Sequence, residues 1–336
     1  MAAVSRLVRV VITGGAGFIG SNLSRRWVLT HPEDSVVVLD ALTYAGRRES
    51  LSALEHLARF QFVHGNICDS RTVESTLAGA DLVIHLAAES HNDRAVKDPM
   101  PFIRTNVEGT ATLLEACRKF EVPRFHHVST DEVFGSLTLD DSQRFTEETA
   151  YRPRGPYSAS KASADHMVRA WFETYGLPVT LSNCSNNFGP YQYPEKFIAL
   201  AITRLLTEGN VPLYGDGRHV RDWIFVDDHC EALDLIAHHG RPGRTYLVSA
   251  EMELPNIEVV RRILHQFGKG EEHVEAVADR LGHDRRYALD ASRIREELGW
   301  KPRYDFDTAL KMTIDWYRRN QDWWRPLLLS SAARVA

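Results

Sequence analysis

The chain has 336 residues and a formal net charge of −5, with 43% hydrophobic and 25% charged residues. These proportions are typical of a soluble globular protein, and the lack of a basic surplus argues against binding to nucleic acid or to an anionic membrane. The N-terminus resembles neither a signal peptide nor a membrane span, and the four scattered cysteines show no metal-ligand spacing, so we expect a cytoplasmic protein with free thiols and no metal.

The first predicted element is a buried parallel strand at residues 8–12, which is rich in β-branched residues. A glycine-rich segment follows, and Ile19, Leu23 and Trp27 then recur at a spacing typical of a helix. Glycine lets the backbone turn tightly and allows a pyrophosphate to approach the helix N-terminus. This strand–loop–helix pattern predicts a dinucleotide site, and its glycines are Gly14, Gly15, Gly17 and Gly20.

The second predicted strand, residues 35–39, ends in Asp40, twenty residues after Gly20. A carboxylate at this position accepts hydrogen bonds from the adenosine ribose and repels a 2′-phosphate. We therefore expect NAD rather than NADP. Arg47 and Arg48 lie close enough to weaken this preference, although a solvated turn explains them better.

Further strands are predicted at residues 60–67, 81–88 and 124–128, with a helix at residues 106–119. Strands that alternate with helices in this way predict an α/β fold with a Rossmann-type doubly wound parallel sheet. Ligands bind beyond the carboxyl ends of such strands. The polar segment 129–132 follows the fifth strand, so it is a candidate for the site, although it could also be a loop of capping residues.

The helix predicted at residues 156–175 carries Tyr157 and Lys161 one turn apart on the same face. Pro156 suits the first helical position, and Gly176 ends the helix. A cation close to a phenol favours the phenolate, so we expect Lys161 to lower the pKa of Tyr157 toward the range of a general base. By itself the spacing is also common on the surfaces of amphipathic helices.

From residue 186 onward the composition shifts to turn residues and aromatics, which indicates a smaller C-terminal substrate-binding lobe. A strand at residues 245–248 is expected to return to the main sheet. The final residues show no periodicity and are expected to be frayed. The boundaries we expect are 1–185 for the Rossmann domain with a returning segment near 219–250, 186–218 and 251–327 for the lobe, and 328–336 for the tail.

The glycine-rich segment, Asp40, Thr130, Tyr157 and Lys161 together resemble the extended short-chain dehydrogenase/reductase superfamily. Longer stretches resemble its nucleotide-sugar 4,6-dehydratases, in particular those that act on dTDP-glucose. They cover nearly the whole chain in the expected order and lie at residues 42–46, 87–91, 129–133, 157–161, 189–196, 220–223 and 282–284.

The resemblance implies an NAD-dependent dehydration in which the sugar is oxidised at C4, loses water across C5 and C6, and regains hydride at C6. Tyr157 would take the proton of the 4-hydroxyl, Glu132 the proton of C5, and Asp131 would protonate the departing C6 hydroxyl. Thr130 would form a hydrogen bond with the 4-oxygen of the sugar, and Lys161 would also hold the nicotinamide ribose. Two adjacent carboxyls can take different protonation states, which this chemistry requires.

The resemblance also implies which residues bind the two ligands. For Arg221 the chemistry is explicit, because a guanidinium matches phosphate oxygens bidentately, although a salt bridge to Asp222 or Asp216 is an alternative. The implied NAD contacts are Gly14, Gly17, Phe18, Ile19, Gly20, Asp40, Thr43, Asn66, Ile67, Ala87, Thr105, Tyr157 and Lys161. The implied nucleotide-sugar contacts are Glu89, His91, Arg94, Asn186, Asn187, Glu195, Lys196, Arg221, Asn256 and His283.

The chain departs from the family pattern at a few positions. Asn66 replaces the usual Asp, Asn92 an aliphatic residue and Asn183 a common Arg, while Phe134 and Phe188 replace tyrosines. Asn92 and Asn183 leave the identity of the sugar or nucleotide open. A homodimer built through a four-helix contact that includes the Tyr157 helix is expected from the resemblance.

Three alternatives remain at this point. A 4,6-dehydratase for UDP- or GDP-sugars and a nucleotide-sugar 4-epimerase both belong to the same superfamily. The epimerases keep the Tyr/Lys pair but lack the adjacent acids. A protein that senses NAD without catalysis is the third, and it is disfavoured because Tyr157, Lys161 and Glu132 are all intact.

Overall fold

The computed structural model describes residues 8–279 and 282–332. Twelve strands are found in this part of the chain. They are β1 (Arg9–Thr13), β2 (Ser35–Asp40), β3 (Phe60–His64), β4 (Leu82–His85), β5 (Arg124–Thr130), β6 (Val179–Cys184), β7 (Asn186–Phe188), β8 (Val211–Tyr214), β9 (Val220–Phe225), β10 (Thr245–Val248), β11 (Met252–Pro255) and β12 (Val274–Val277).

The helices include a π-helical segment, Ile103–Glu108, between two α-helices. The α-helices are α1 (Phe18–Thr30), α2 (Ser70–Leu77), α3 (Asn92–Lys97), α4 (Met100–Phe102), α5 (Gly109–Lys119), α6 (Pro156–Tyr175), α7 (Phe197–Leu206), α8 (Val226–His239), α9 (Asn256–Gln266), α10 (Ser292–Leu298), α11 (Phe306–Arg319) and α12 (Gln321–Ala332). Within the described ranges, none of these helices combines the length and the apolar character needed to cross a membrane.

The predicted Rossmann-type α/β fold is confirmed. Seven strands form one parallel sheet in the order β3-β2-β1-β4-β5-β6-β10. The chain order reverses between β1 and β4, where the register places Thr13 opposite His85. A reversal of this kind opens a crevice at the carboxyl ends of the strands, which is where ligands bind in open parallel sheets.

Helices cover both faces of this sheet, which explains why its strands are apolar along their whole length. Val10 and Ile12 point to the face covered by α1 and α8, in a core that includes Trp27. Val11, one residue out of phase, points to the opposite face covered by α2, α5 and α6. The period of two along β1 therefore builds two separate cores.

The smaller lobe contains a three-stranded sheet, β11-β9-β7, and a parallel pair, β12-β8. Its core is formed by α7, α9, α11 and α12. The structure corrects two expectations here. We expected β9 to lie in the segment that returns to the Rossmann domain. It instead pairs antiparallel with β11 and contributes Trp223 to the core of the lobe. The segment that returns to the Rossmann domain therefore begins with α8. The tail expected to fray from residue 328 is helical to Ala332, while residues 333–336 lie outside the described part.

Candidate active site

The glycine-rich loop between β1 and α1 has no room for side chains at its two ends. Gly14 has a φ of +68°, and a Cβ there would lie 2.6 Å from the backbone nitrogen of Ala87. A Cβ on Gly20 would collide with the carbonyl oxygen of Gly14. The Gly14 N–H donates to the carbonyl of Leu39 at 2.8 Å, which ties the loop to β2. The loop is therefore closed tightly at the start of α1, as a pyrophosphate site requires.

Asp40 lies at the carboxyl end of β2, beside this loop. Its Oδ2 accepts the N–H of Ala16 at 2.9 Å and its Oδ1 accepts the N–H of Leu42 at 2.8 Å. Burial raises the pKa of Asp40, and these two N–H donors counteract the rise. Arg47 and Arg48, by contrast, form ion pairs with Glu49 and Glu55, which fits the solvated-turn interpretation.

The loop and Asp40 line one elongated cavity along the carboxyl edge of the sheet. Thr105 reaches this cavity from the π-helical segment, whose extra residue per turn shifts the side chains that follow. All the residues implied to contact NAD line it: Gly14, Gly17, Phe18, Ile19, Gly20, Asp40, Thr43, Asn66, Ile67, Ala87, Thr105, Tyr157 and Lys161.

Tyr157 and Lys161 lie on the buried face of α6 and line the same cavity. Burial raises the pKa of Tyr157 well above its ordinary value, and the charge of Glu132 adds to this, whereas a hydrogen bond from Thr130 lowers it. Nζ of Lys161 donates to the carbonyl of Val128 at 2.9 Å. In the protein by itself the pKa of Tyr157 therefore lies above its ordinary value, opposite to the expectation, because burial is the largest influence on it.

Asp131 and Glu132 begin a 3-10 turn directly after β5 and face the same cavity. Asp131 is 1% exposed, and burial, together with the charge of Glu132, raises its pKa well above the ordinary value. Burial raises the pKa of Glu132 as well, but the amide of Asn92 and the charge of Lys196 counteract the rise. The environments of the two neighbouring carboxyls thus differ. That of Asp131 favours the neutral form more strongly, whereas the carboxyl of Glu132 is closer to ionisation.

A buried polar network supports Lys161 from below, and the sequence analysis did not identify it. Nε2 of His127 lies 3.2 Å from Oδ1 of Asp165 and 3.5 Å from Nζ of Lys161. Ser129 and Tyr151 donate to Oδ2 of Asp165 at 2.9 and 2.8 Å. One signal was available, because Asp165 follows Lys161 by four residues on the same helix face.

A second cavity continues from the first toward the smaller lobe, and Glu132 lies at the junction because it lines both. Among the residues implied to bind the nucleotide sugar, Glu89 lines only the first cavity. Arg94 lines neither, because its guanidinium lies 3.7 Å from the ring centre of Tyr44 and 3.4 Å from Glu195. The remaining ones line the second cavity: His91, Asn186, Asn187, Glu195, Lys196, Arg221, Asn256 and His283.

Arg221 does not form the alternative salt bridges. Its guanidinium donates to the carbonyls of Val220 and Asp284 at 2.8 and 2.9 Å and lies against the ring of Tyr287, while Asp216 pairs with Arg285. Buried side-chain oxygens of Asn186 and Asn256 have no hydrogen-bond partner in the described part of the chain. The buried guanidinium fits an anionic group of a ligand, and the two amide oxygens can accept hydrogen bonds from hydroxyl or N–H groups of the same ligand.

The departures from the family pattern lie in different environments. Asn183 is fully buried and donates to the carbonyl of Thr130 at 3.0 Å and to Asp165 at 3.2 Å, so it belongs to the network below Lys161. Phe134 and Phe188 pack in apolar cores. Oδ1 of Asn66 accepts the N–H of Cys68 at 2.9 Å. Asn92 alone contacts the acid pair.

Proteins of known function resemble this chain along nearly its whole length. The sequence model of the GDP-mannose 4,6 dehydratase family matches residues 11–313. The dTDP-glucose 4,6-dehydratase of Mycobacterium tuberculosis is 53% identical over 328 residues, which cover 97% of this chain and 98% of the relative. The Escherichia coli dTDP-glucose 4,6-dehydratase 1 is 46% identical over 341 residues, which cover 94% of each.

Solved structures agree with these relatives. The Streptomyces venezuelae dTDP-glucose 4,6-dehydratase DesIV, with NAD and dTDP bound, superposes with a TM-score of 0.92 at 46% identity, covering 95% of this chain and 100% of that one. The Thermus thermophilus UDP-glucose 4-epimerase, in complex with NAD, superposes with a TM-score of 0.86 at 30% identity, covering 93% of this chain and 100% of that one.

Proposed function

The chain belongs to the GDP-mannose 4,6 dehydratase family, and from this premise we propose that it is an NAD-dependent hydro-lyase that converts dTDP-glucose to dTDP-4-keto-6-deoxyglucose and water. The observation that carries the proposal is the position of Asp131 and Glu132. The adjacent acids face the cavity that also contains Tyr157 and Lys161, and Glu132 reaches the second cavity. An epimerase has no use for two more proton-transfer groups there.

NAD, when bound, accepts hydride from C4 of the sugar and returns it to C6. The chain supplies the groups that hold and move protons. Tyr157 takes the proton of the 4-hydroxyl, and Thr130, whose side chain lies close enough to the phenol to lower its pKa, supports the 4-oxygen. In the protein by itself, burial opposes formation of the phenolate. The positive charge of Lys161, which the carbonyl of Val128 holds in place, and that of the nicotinamide when NAD is bound would together lower the pKa of Tyr157 toward the range of a general base.

A ketone at C4 acidifies the hydrogen on C5, and the acid pair then acts. Glu132 removes that proton as the base. Asp131, whose neutral form burial favours, gives its proton to the C6 hydroxyl, so that water leaves. When hydride is restored at C6, Glu132 returns its proton to C5, which completes the 4-keto-6-deoxy product. The two acids divide the work because their environments separate their pKa values. Arg221 binds the pyrophosphate, since a guanidinium matches its oxygens bidentately.

The test is a direct assay of three nucleotide sugars. The purified protein, supplied with NAD, is incubated separately with dTDP-glucose, UDP-glucose and GDP-mannose. The masses of the products are then measured by mass spectrometry. We expect loss of one water from dTDP-glucose, with the UDP- and GDP-sugars turned over at least about tenfold more slowly. A product of unchanged mass with inverted C4 would instead identify an epimerase, and water loss from another nucleotide sugar alone would contradict the dTDP preference.

We further propose a cytoplasmic homodimer whose contact includes α6. The cytoplasmic location is supported by the free cysteines, three of which are buried. The dimer contact is supported by the apolar side chains of Met100 and Ile103, which lie next to α6 and are 49% and 47% exposed. Ile103→Glu should convert a dimer into a monomer, with Leu29→Glu, on the exposed surface of α1, as the control. Light scattering after gel filtration measures both, and a monomeric parent protein would contradict the proposal.

A further inference from the structure

Asn92 lies where the second cavity meets Glu132. It is the first residue of α3, and its side-chain Nδ2 donates to Oε2 of Glu132 at 2.9 Å. Asn92 lines only the second cavity, whereas Glu132 lines both. The side-chain amide of Asn92 therefore approaches the carboxylate of Glu132 from the side of the second cavity, where the sugar would enter.

The short helix that carries Asn92 is held from two directions. Ala95 is fully buried in a small core with Phe102 and Tyr157, which connects α3 to the catalytic helix. On its other side, the guanidinium of Arg94 lies over the ring of Tyr44 and reaches Glu195. These contacts fix the start of α3 relative to the site, so that the Asn92 amide is presented to the carboxylate in one position.

We propose that Asn92 is a positioning residue for the dehydration: its amide binds one carboxylate oxygen of Glu132 and leaves the other directed at C5 of the sugar. This inference rests on the proposed function. An amide N–H is a donor and bonds best to an ionised oxygen, so the contact favours the form of Glu132 that can accept a proton. It also limits rotation of the carboxylate, as a base that must meet one hydrogen requires.

Other charged and titratable groups also face Glu132, so the effect of Asn92 is one of several. Burial raises the pKa of Glu132, and the Asn92 amide is the strongest influence in the opposite direction. The remaining groups around the carboxylate are Asp131, Tyr157, Lys196, Arg221, Asp284 and Tyr287. None of these side chains is itself replaced by a substitution at residue 92, and the Asn92→Gln variant separates the lost hydrogen bond from altered packing of α3.

The effect should be larger with substrate bound than without it. Asn92 is exposed to the cavity, so water competes for its amide in the free protein. A sugar that fills the cavity removes this competition and strengthens a hydrogen bond to a charge. The acidic limb of the kcat profile, which reports groups in the substrate complex, is therefore the informative measurement.

The experiment compares Asn92→Leu, Asn92→Asp and Asn92→Gln with the parent protein on dTDP-glucose. Asn92→Leu has similar size and no donor, so we expect the acidic limb of kcat to move to higher pH by about one unit and kcat near neutral pH to fall about tenfold. Asn92→Asp places a second negative charge beside Glu132, so the acidic limb of kcat should move to still higher pH in this variant. Asn92→Gln keeps an amide and should restore the parent limb.

The step is identified by following exchange of the C5 hydrogen with solvent deuterium and the fluorescence of reduced nicotinamide. We expect Asn92→Leu to slow exchange and to prolong the fluorescence, because C4 oxidation continues while removal of the C5 proton is impaired. Lys97→Ala, exposed at the end of the same helix, should change neither quantity. Thermal melting checks that every variant is folded.

Two results would overturn the inference. Equal acidic limbs for the parent and for folded Asn92→Leu and Asn92→Asp would show that the amide does not act on Glu132. If Asn92→Gln showed the same shift of the acidic limb as Asn92→Leu, the effect would be due to packing of α3 and not to the hydrogen bond. If the parent protein formed no 4-keto product, the proposed function itself would fail, which is a separate outcome.

Discussion

Two adjacent carboxyls perform opposite tasks in the proposed reaction because their surroundings differ. Asp131 is almost fully buried and its Oδ2 has no hydrogen-bond partner in the described part of the chain, so its neutral form is favoured. Glu132 receives a hydrogen bond from Asn92 and faces the cavity. Protonation states that differ between neighbours are what allow a single site to act as both acid and base.

Glu132→Gln should separate oxidation from dehydration. The amide cannot accept the C5 proton, so we expect formation of the 4-keto-6-deoxy product to fall by about 10²-fold or more, while oxidation at C4 persists. Single-turnover measurements of reduced-nicotinamide fluorescence and of product mass distinguish the two steps. Asp131→Asn is the matched comparison, since it should retain C5 exchange with solvent and lose water elimination. Normal dehydration by Glu132→Gln would refute the assignment of the base.

The residues of the site could be predicted unevenly from the sequence. Tyr157, Lys161 and the acid pair were identified because each stands in a local pattern, either a helical spacing or the end of a strand. His127 and Asp165 were not, because they support Lys161 through a contact between β5 and α6 that only the packed structure reveals. The pKa of Tyr157 was predicted in the wrong direction, since burial cannot be inferred from a spacing of four residues.

At the scale of elements, the β1–α1 connection shows why glycines in one loop are not equivalent. A Cβ on Gly20 would collide with the carbonyl of Gly14 and lie 2.7 Å from Cα of Gly15, so a side chain there must displace the backbone. A Cβ on Gly17 would meet the Gly14 carbonyl oxygen at 3.2 Å, and Gly17 has a φ of −75°, which any residue adopts. Both glycines line the cavity, but only Gly20 lies so close to the backbone of the turn that a side chain has no room.

This difference predicts two separable phenotypes. Gly20→Ala should destabilise the protein by about 2 kcal/mol or more, because overpacking at backbone contacts forces the loop to move. Gly17→Ala should change the free energy of unfolding by less than about 1 kcal/mol while weakening NAD binding, because its methyl group faces the ligand. Urea denaturation and calorimetric titration with NAD measure the two quantities. Equal stability losses in both variants would contradict the distinction.

Whole elements could be predicted where the pattern is local. The strands of the parallel sheet and helix α6 follow from apolar runs, periodicity and the residues that end them. The pairing of β9 could not, because Trp223 and Phe225 fit a strand in either domain and the partner β11 lies about thirty residues away in sequence. The helical tail was missed for a similar reason, since Trp324 is fully buried in the lobe only after α11 is in place.

At the scale of the molecule, the site forms between two units that contribute different ligand groups. The Rossmann domain supplies the glycine loop and the residues proposed to be catalytic, while the lobe supplies Arg221 and Asn256. Contacts such as that of Trp323 Nε1 with Ser50 Oγ, at 3.1 Å, connect the two units directly. A nucleotide sugar that spans both cavities would be held by both, so substrate binding should stabilise the whole protein against unfolding.

The interior also contains several histidines whose neutral form the fold favours. Burial lowers the pKa of His126 to about 3, that of His127 to about 4 and that of His229 to about 3, and it lowers that of His85 well below the ordinary value. In the unfolded chain each histidine takes up a proton near pH 6.5. Stability from these residues is therefore present above about pH 6.5 and is lost as the pH falls toward 4.

Two buried carboxyls act in the opposite direction. Burial raises the pKa of Asp222 to about 7 and that of Asp131 well above the ordinary value, so the folded protein holds these protons where the unfolded chain has released them. Their contribution to stability increases as the pH falls. For these four histidines and two carboxyls taken together, the unfolded chain binds between one and two more protons than the folded protein between pH 6 and pH 5. Burial also raises the pKa of Asp40 and Glu132, and these carboxyls reduce the difference.

These six groups together should consequently remove about 2 kcal/mol of unfolding free energy between pH 6 and pH 5. Urea denaturation at the two pH values, with NAD held at one saturating concentration, measures this loss. His126→Gln keeps hydrogen-bonding atoms near Thr180 and Ser182 but removes one titrating group, so its loss should be smaller by about 1.4 kcal/mol. An unaltered pH dependence of stability in His126→Gln would exclude that residue as a contributor.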